Sequence, residues 1–181
     1  MDNMLGDDIL GKVTADQDFI RKFLSKIPGF KGYIERENRR ASDKLLREYI
    51  ADQTSQIEQR ISALQRDVIS QGQLELIDDL EASAIKIRQF TDRIRRATYG
   101  YGSLFEAVKV NEPELAKIYE YDLAMFKATE SIQSAVDNVE ASFGTDGLPA
   151  SIRHLTALAQ ELIETFNKRS SIIMMETGAS Q

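Results

Sequence analysis

The chain contains no cysteine, and this absence removes several classes of chemistry at once. Disulfide bonds, thiolate zinc sites, iron–sulfur clusters and cysteine nucleophiles all require a thiol, so we expect none of them. Proline and glycine are also scarce, with three and ten among 181 residues. That scarcity argues against an all-β fold, which needs many turns, and favours long helices.

Long hydrophobic runs are missing as well. The run from Ile172 to Met175 is far below the roughly 20 apolar residues that span a membrane. Asp2, Asp7 and Asp8 precede the first positive charge, the reverse of the charge pattern in a secretory signal. We therefore expect a cytoplasmic protein, and the net charge of −6 argues against general nucleic-acid binding.

Apolar residues recur at alternating steps of three and four along most of residues 33–176. One such stripe contains Ile57, Ile61 and Leu64, and a second starts at Leu74. This spacing places the apolar side chains on one side of each helix. The sequence therefore predicts an all-α fold, an antiparallel four-helix bundle with up-down-up-down connections.

The expected organisation is one helical-bundle domain over residues 14–177. A flexible arm at 1–13 should precede it, and 178–181 should fray. Two short helices are expected besides the four long ones. One covers about residues 15–26, and the other starts at a capping box formed by Ser103 and Glu106.

Glycine marks the expected turns between the long helices. Gly72 lies in the shortest connection, which should reverse the chain direction. One continuous kinked helix is the alternative, because a lone glycine costs a helix only about 1 kcal/mol. Gly144 and Gly147 should close the long helix that opens at Asn111, and Pro149 should open the last one.

Motifs for catalysis or cofactor binding do not emerge. His154 is the one histidine, whereas a di-iron bundle site needs two Glu-x-x-His pairs. The Gly100-Tyr101-Gly102 stretch follows a predicted helix and lacks the Gly-Lys-Ser/Thr ending of a phosphate-binding loop. We predict a non-enzymatic protein with no catalytic, cofactor-binding or metal-binding residues.

Two clusters of positive charge suggest an interaction surface instead. If the chain turns at Gly72, Arg96 should lie near the level of Arg47, and Arg93 near Ile50. A basic end of the bundle would then bind an acidic protein partner, with tyrosine and arginine as typical interface residues. The alternative is that these arginines pair with nearby acids or are simply solvated. The predicted interaction surface comprises Arg39, Arg40, Lys44, Arg47, Arg95 and Arg96, with the aromatic turn residues Phe30, Tyr33, Tyr99 and Tyr101.

Two other functions remain open. The helix at 15–26 combines Phe19 and Phe23 with Lys22 and Lys26, as in a helix that lies on an anionic membrane surface. The same pattern also fits a helix that covers the end of a bundle. A third possibility is a small-molecule or active site in a pocket near Tyr99–Gly102. A homo-oligomer is also possible, because a second copy of the chain could cover apolar stripes that the first leaves exposed.

Two stretches carry a resemblance to known sequences. They are Ile27-Pro28-Gly29-Phe30-Lys31-Gly32-Tyr33 with the residues up to Arg47, and Tyr99-Gly100-Tyr101-Gly102 with the residues up to Leu123. Both stretches resemble an uncharacterised family of bacterial helical proteins. The resemblance implies a bacterial source and a helical fold, and it implies no activity, ligand or catalytic residue.

Overall fold

The computed structural model describes residues 25–26, 39–97 and 112–178. These residues form helices and turns, and no strand occurs among them. The elements are α1 (Arg39–Ser70), a short 3-10 helix (Leu74–Leu76), α2 (Ile77–Arg96), α3 (Glu112–Ala141) and α4 (Leu148–Gly178). The all-α prediction is therefore confirmed for this part of the chain.

The chain divides into two compact units, residues 1–49 and 50–181. The division falls inside α1, between Tyr49 and Ile50, and not at the sequence-based boundary after residue 13. The single domain expected over 14–177 stays a prediction. At the other end of the chain, α4 continues through Gly178, one residue beyond the expected end of that domain.

A tight turn at Gly72 separates α1 from the elements that follow. The Gly72 N–H donates to the Ile69 carbonyl, and the Gln73 N–H donates to the Val68 carbonyl, both at 3.0 Å. Gly72 itself has a φ of 73°, a conformation that costs other residues energy because of their Cβ atom. This geometry ends the helix, so the alternative of one continuous kinked helix is wrong.

Side-chain hydrogen bonds record how α1 and α2 pair beyond this turn. The bonded pairs are Thr54 with Thr91, Glu58 with Arg88, and Gln65 with Glu81. Among these pairs, the residue number in α2 decreases as the residue number in α1 increases, so the two helices run in opposite directions here.

The register of this hairpin differs slightly from the expected one. Arg95 lies opposite Asp52 and Thr91 opposite Thr54, so Arg93 is level with about residue 53 and not with Ile50. The 3-10 helix at Leu74–Leu76 lengthens the connection, which moves the centre of the hairpin beyond Gly72. The sequence pattern did not include this extra turn.

A second turn joins α3 to α4 at the predicted position. Gly144 has a φ of 76°, and Pro149 is the second residue of α4, where its missing N–H leaves no helical hydrogen bond unmade. Both α2 and α3 pack against α4. Between α2 and α4 the bonded positions rise together: Ser83 with Thr156, Lys86 with Gln160, and Arg93 with Asn167.

Contacts between α1 and α3 centre on Arg60. Its Nη2 lies 2.6 Å from Asp137 Oδ1 and 2.8 Å from Glu140 Oε2. The hydrogen bond to Glu140 raises the pKa of Arg60 above its ordinary value, although partial burial opposes the charge. Further along, Gln133 Nε2 donates to Gln53 Oε1 at 2.6 Å. These polar contacts lie at the edge of the apolar core.

The core contains the stripes that the sequence predicted, with local exceptions. Leu74 is 60% exposed, whereas Leu76 is buried. Leu74 lies in the 3-10 helix, before the α-helical period starts, so its direction differs from that of the later stripe. Fully buried apolar residues include Ile57, Ile61, Leu80, Ile87, Phe90, Phe126, Ile132, Val136, Ile152, Leu155 and Leu162.

We predict that Gly72→Ala lowers the free energy of unfolding by about 1–2 kcal/mol, because alanine is strained at positive φ. A Cβ at Gly72 would meet no atom within 4 Å, so backbone strain alone would cause the loss. Urea unfolding followed by circular dichroism measures it. Gly147→Ala is the matched control, because its φ is not positive and the new Cβ would meet Thr145 Oγ1 at 3.4 Å. Equal losses in the two variants would contradict this account.

Candidate functional site

The end of α2 carries a group of arginines. Arg93, Arg95 and Arg96 lie in the last helical turn, and the Ala97 N–H donates to the Arg93 carbonyl at 3.0 Å. The carbonyl end of a helix is negatively polarised, so positive side chains are favoured there. The helix dipole is sufficient to explain why arginines occur in this turn. Their individual contacts decide which of them are accessible to a partner.

Arg88, one turn earlier, is neutralised by a neighbour. Its Nε donates to Glu58 Oε1 at 2.7 Å, which links α2 to α1. This hydrogen bond, with the attraction between the two charges, raises the pKa of Arg88 above its ordinary value. Arg88 therefore adds little net positive charge to the surface.

Arg93 is engaged in packing between α2 and α4. Its Nη2 donates to Asn167 Oδ1 at 2.6 Å, and its guanidinium carbon lies 4.9 Å from the centre of the Phe166 ring. Phe166 in turn meets Phe90 edge to face, with ring centres 5.7 Å apart and planes at 83°. Cation–π and aromatic contacts of this kind stabilise a helix pair. Arg93 thus serves the fold.

Arg95 and Arg96 extend outward from the same turn. Arg95 Nη2 lies 3.6 Å from Asp52 Oδ1, and the two side chains are 51% and 71% exposed. An ion pair this exposed contributes little energy. Arg96 is exposed, and among the described residues it forms no ion pair. We refer to Arg95 and Arg96 as the α2 arginine pair.

Arg47 requires a correction to the predicted interaction surface. Only 5% of Arg47 is exposed, so its guanidinium is not available to a partner in this structure. Arg47 directly follows Leu46 in α1, and Leu46 is also buried. Both side chains therefore lie on the inner side of the helix. Lys44, by contrast, is exposed and lies 3.6 Å from Glu48, one helical turn away.

Most other predicted residues lie outside the described part of the chain. Arg39 and Arg40 belong to α1, but their side chains are not described. Since Lys44 belongs to residues 1–49 and the α2 arginine pair to residues 50–181, the expected meeting of the two clusters stays a prediction. Outside the described residues lie Phe30, Tyr33, Tyr99 and Tyr101, together with Phe19, Lys22 and Phe23 of the candidate membrane face; Lys26 is helical and exposed.

A buried ion pair between α3 and α4 was missed by the sequence analysis. Arg169 Nε donates to Asp122 Oδ1, and Arg169 Nη2 lies 3.4 Å from Asp122 Oδ2. The side chains are 0% and 2% exposed. A signal was present: Arg169 continues the stripe of Leu162 and Phe166, and Asp122 falls four residues before Phe126 on the α3 stripe. Opposite charges at stripe positions of two helices indicate a pair.

The described residues include one histidine and many carboxylates. Among them, no group of three histidine, aspartate or glutamate side chains could hold a metal ion. None of their helices is both apolar enough and long enough to cross a bilayer. His154 is exposed and near the start of α4. The pocket expected near Tyr99–Gly102 lies outside the described residues.

Comparison with known proteins identifies no relative of this chain. No protein-family model, curated protein or solved structure matches this chain. The resemblance to a family of bacterial helical proteins, and the bacterial source that it implies, therefore stay predictions.

We predict that Phe90 and Phe166 stabilise the α2–α4 contact jointly. In a double-mutant cycle of Phe90→Leu and Phe166→Leu, the coupling energy should be about 0.5–1.5 kcal/mol, measured by urea unfolding. Val68→Ala serves as the control partner for Phe90→Leu, because Val68 lies more than three helical turns beyond the level of Phe90 on α1. That second cycle should be additive, and coupling as large as in the first cycle would contradict the assignment.

Proposed function

We propose that this protein is a non-enzymatic interaction module that binds an acidic protein partner through the α2 arginine pair. The main support is that the arginines in the last turn of α2 differ in their contacts. All three arginines of the last turn are exposed, but Arg93 is also held by Asn167 and Phe166 of α4. The pair of Arg95 with Asp52 is exposed on both sides and Arg96 is exposed, so both guanidinium groups are accessible to a partner.

The chemistry of arginine supports an acidic partner. A guanidinium donates two parallel hydrogen bonds to one carboxylate, and it is desolvated more easily than an ammonium group. Exposed arginines also accelerate the encounter with a negative surface, most strongly at low salt. The exposed pair of Arg95 with Asp52 would cost little to break on binding. Net negative charge on the whole chain favours a local contact over a general one.

The proposed framework for this surface is an up-down-up-down bundle formed by the helices of residues 50–181. Two observations support it: the turns at Gly72 and Gly144 both have glycine at positive φ, and positions rise together between α2 and α4. Alternate helices would then point the same way. A cytoplasmic location and the two additional short helices belong to the same proposal.

We predict that Arg95→Glu/Arg96→Glu weakens partner binding at least tenfold, about 1.4 kcal/mol. Reversed charge repels an acidic surface and removes the bidentate donors. Tagged protein would capture partners from a lysate of its natural host, and the most enriched one would be purified. Its Kd for the wild-type protein and for the variants would then be measured by calorimetry at two salt concentrations. Wild-type affinity should fall at the higher salt, since salt screens exposed charges.

Arg66→Glu/Arg153→Glu is the matched control. Both residues are exposed arginines on other parts of α1 and α4, and the double change alters the net charge by the same amount. This control should bind the partner as the wild-type protein does. The proposal fails if the α2 arginine variant binds equally well, or if the control loses as much affinity, since overall charge would then explain the loss.

Binding to an anionic membrane surface is a second candidate, favoured by one observation. Lys26 is helical and exposed, as it would be in the amphipathic helix expected at residues 15–26. In that case Phe19 and Phe23 would enter the interface, and basic residues would contact the headgroups.

We predict, for this second candidate, that the protein floats with anionic vesicles and not with neutral ones. Phe19→Asp or Phe23→Asp should abolish flotation, because a buried carboxylate in the interface is costly. The Arg66→Glu/Arg153→Glu variant controls for net charge and should still float. Failure of the wild-type protein to bind anionic vesicles would exclude the membrane candidate and leave the protein partner.

A further inference from the structure

Three helix pairs in the second unit each contain a buried or partly buried polar couple. Thr91 Oγ1 donates to Thr54 Oγ1 at 2.8 Å between α2 and α1, and Ser83 Oγ lies 2.6 Å from Thr156 Oγ1 between α2 and α4. The third couple, between α3 and α4, is the ion pair of Asp122 and Arg169. The couples differ in what would happen if the helices slid past each other.

The hydroxyl couples tolerate a change of register. Thr54 Oγ1 also donates to the Ile50 carbonyl of its own helix, and Ser83 Oγ to the Asp79 carbonyl. Such bonds to the preceding turn remain when the partner helix moves. A slide would therefore leave these hydroxyl groups satisfied, so they do not enforce one alignment.

The ion pair does not tolerate such a change. Sliding α4 along α3 by about one turn would bring either Asp122 against Phe166 or Arg169 against Phe126, by their spacing on the two stripes. Both phenylalanines are buried. Separating the two charges and placing one of them in an apolar contact costs desolvation energy, whereas an apolar pair of similar size would be accommodated in either register.

We infer that the Asp122–Arg169 pair is a conformational device that fixes the register of α4 on α3. The other buried residues of these helices are mostly apolar, among them Phe126, Ile132 and Val136 on α3 and Leu155 and Leu162 on α4. The buried Thr129 and Ser151 donate to carbonyls of their own helices. Apolar seams with a repeating step accept slipped alignments, and one polar position can exclude them. The pair thus supplies specificity, and its contribution to stability over an apolar pair is small. This inference is independent of the proposed function.

The test measures register directly and uses the absence of native cysteine. Ser134→Cys on α3 and Lys168→Cys on α4 introduce two exposed sites for nitroxide spin labels. Their separation has a large component along the helix axes, so a slide of one turn would shift it by about 5 Å. Pulsed electron–electron double resonance gives the distribution of distances between the two labels, and urea unfolding gives the stability.

In the otherwise wild-type protein we expect one distance population. Asp122→Leu/Arg169→Leu should keep the urea midpoint and add a second population, shifted by about 5 Å. Arg169→Lys retains the opposite charges and should keep a single population. Thr54→Val/Thr91→Val is the matched control, because it removes a buried polar couple elsewhere, and it should also keep a single population.

Each contrary result would overturn the inference. A single unshifted distance in the Asp122→Leu/Arg169→Leu protein would mean that packing alone sets the register. Unfolding of that variant would mean that the pair is needed for stability and not for specificity. A second population in the Thr54→Val/Thr91→Val protein would mean that any buried polar couple has the same effect.

Discussion

The described helices depend on keeping their apolar stripes out of water. A fully buried leucine, isoleucine or phenylalanine contributes roughly 1.5–3 kcal/mol, and α2 alone buries Leu80, Ile87, Phe90 and Ile94. An exposed ion pair such as Arg95 with Asp52 contributes at most about 1 kcal/mol. The helices would be far less stable alone, because most helical stability in proteins comes from tertiary packing. The charged surface is therefore free to vary as long as the stripes remain covered.

Polar groups inside these seams act by a different principle. Thr54 and Ser83 donate to carbonyls of their own helices, and the Thr91 hydroxyl can donate either to Thr54 or to the Ile87 carbonyl. These hydroxyl groups are therefore buried without restricting the partner helix. Asp122 and Arg169 are instead joined to each other by an ion pair that links two helices. Burial of one charge therefore depends on the position of the other. The two kinds of couple occupy the same kind of position but have opposite consequences for alignment.

The arginines of α2 illustrate how packing decides what a surface offers. Arg88 is neutralised by Glu58, and Arg93 lies over Phe166. All four arginines are exposed and carry the same formal charge, but Arg88 and Arg93 make close hydrogen bonds to neighbouring helices, whereas Arg95 makes a looser, exposed ion pair at 3.6 Å. Counting basic residues overstates the charge that a partner meets, as the burial of Arg47 also demonstrates. The proposed binding surface is small because the fold uses much of the positive charge itself.

The sequence by itself determined the helical class, the turns at Gly72 and Gly144 and most of the buried stripes. These features depend on local spacing and on glycine's freedom at positive φ, and both are visible within a few residues. Tertiary structure decided the burial of Arg47 and the pairing of Asp122 with Arg169. Those outcomes depend on how a neighbouring helix is rotated and aligned. The partners lie up to 47 residues apart in the chain, and local periodicity carries no information about which distant residue fills the opposite position.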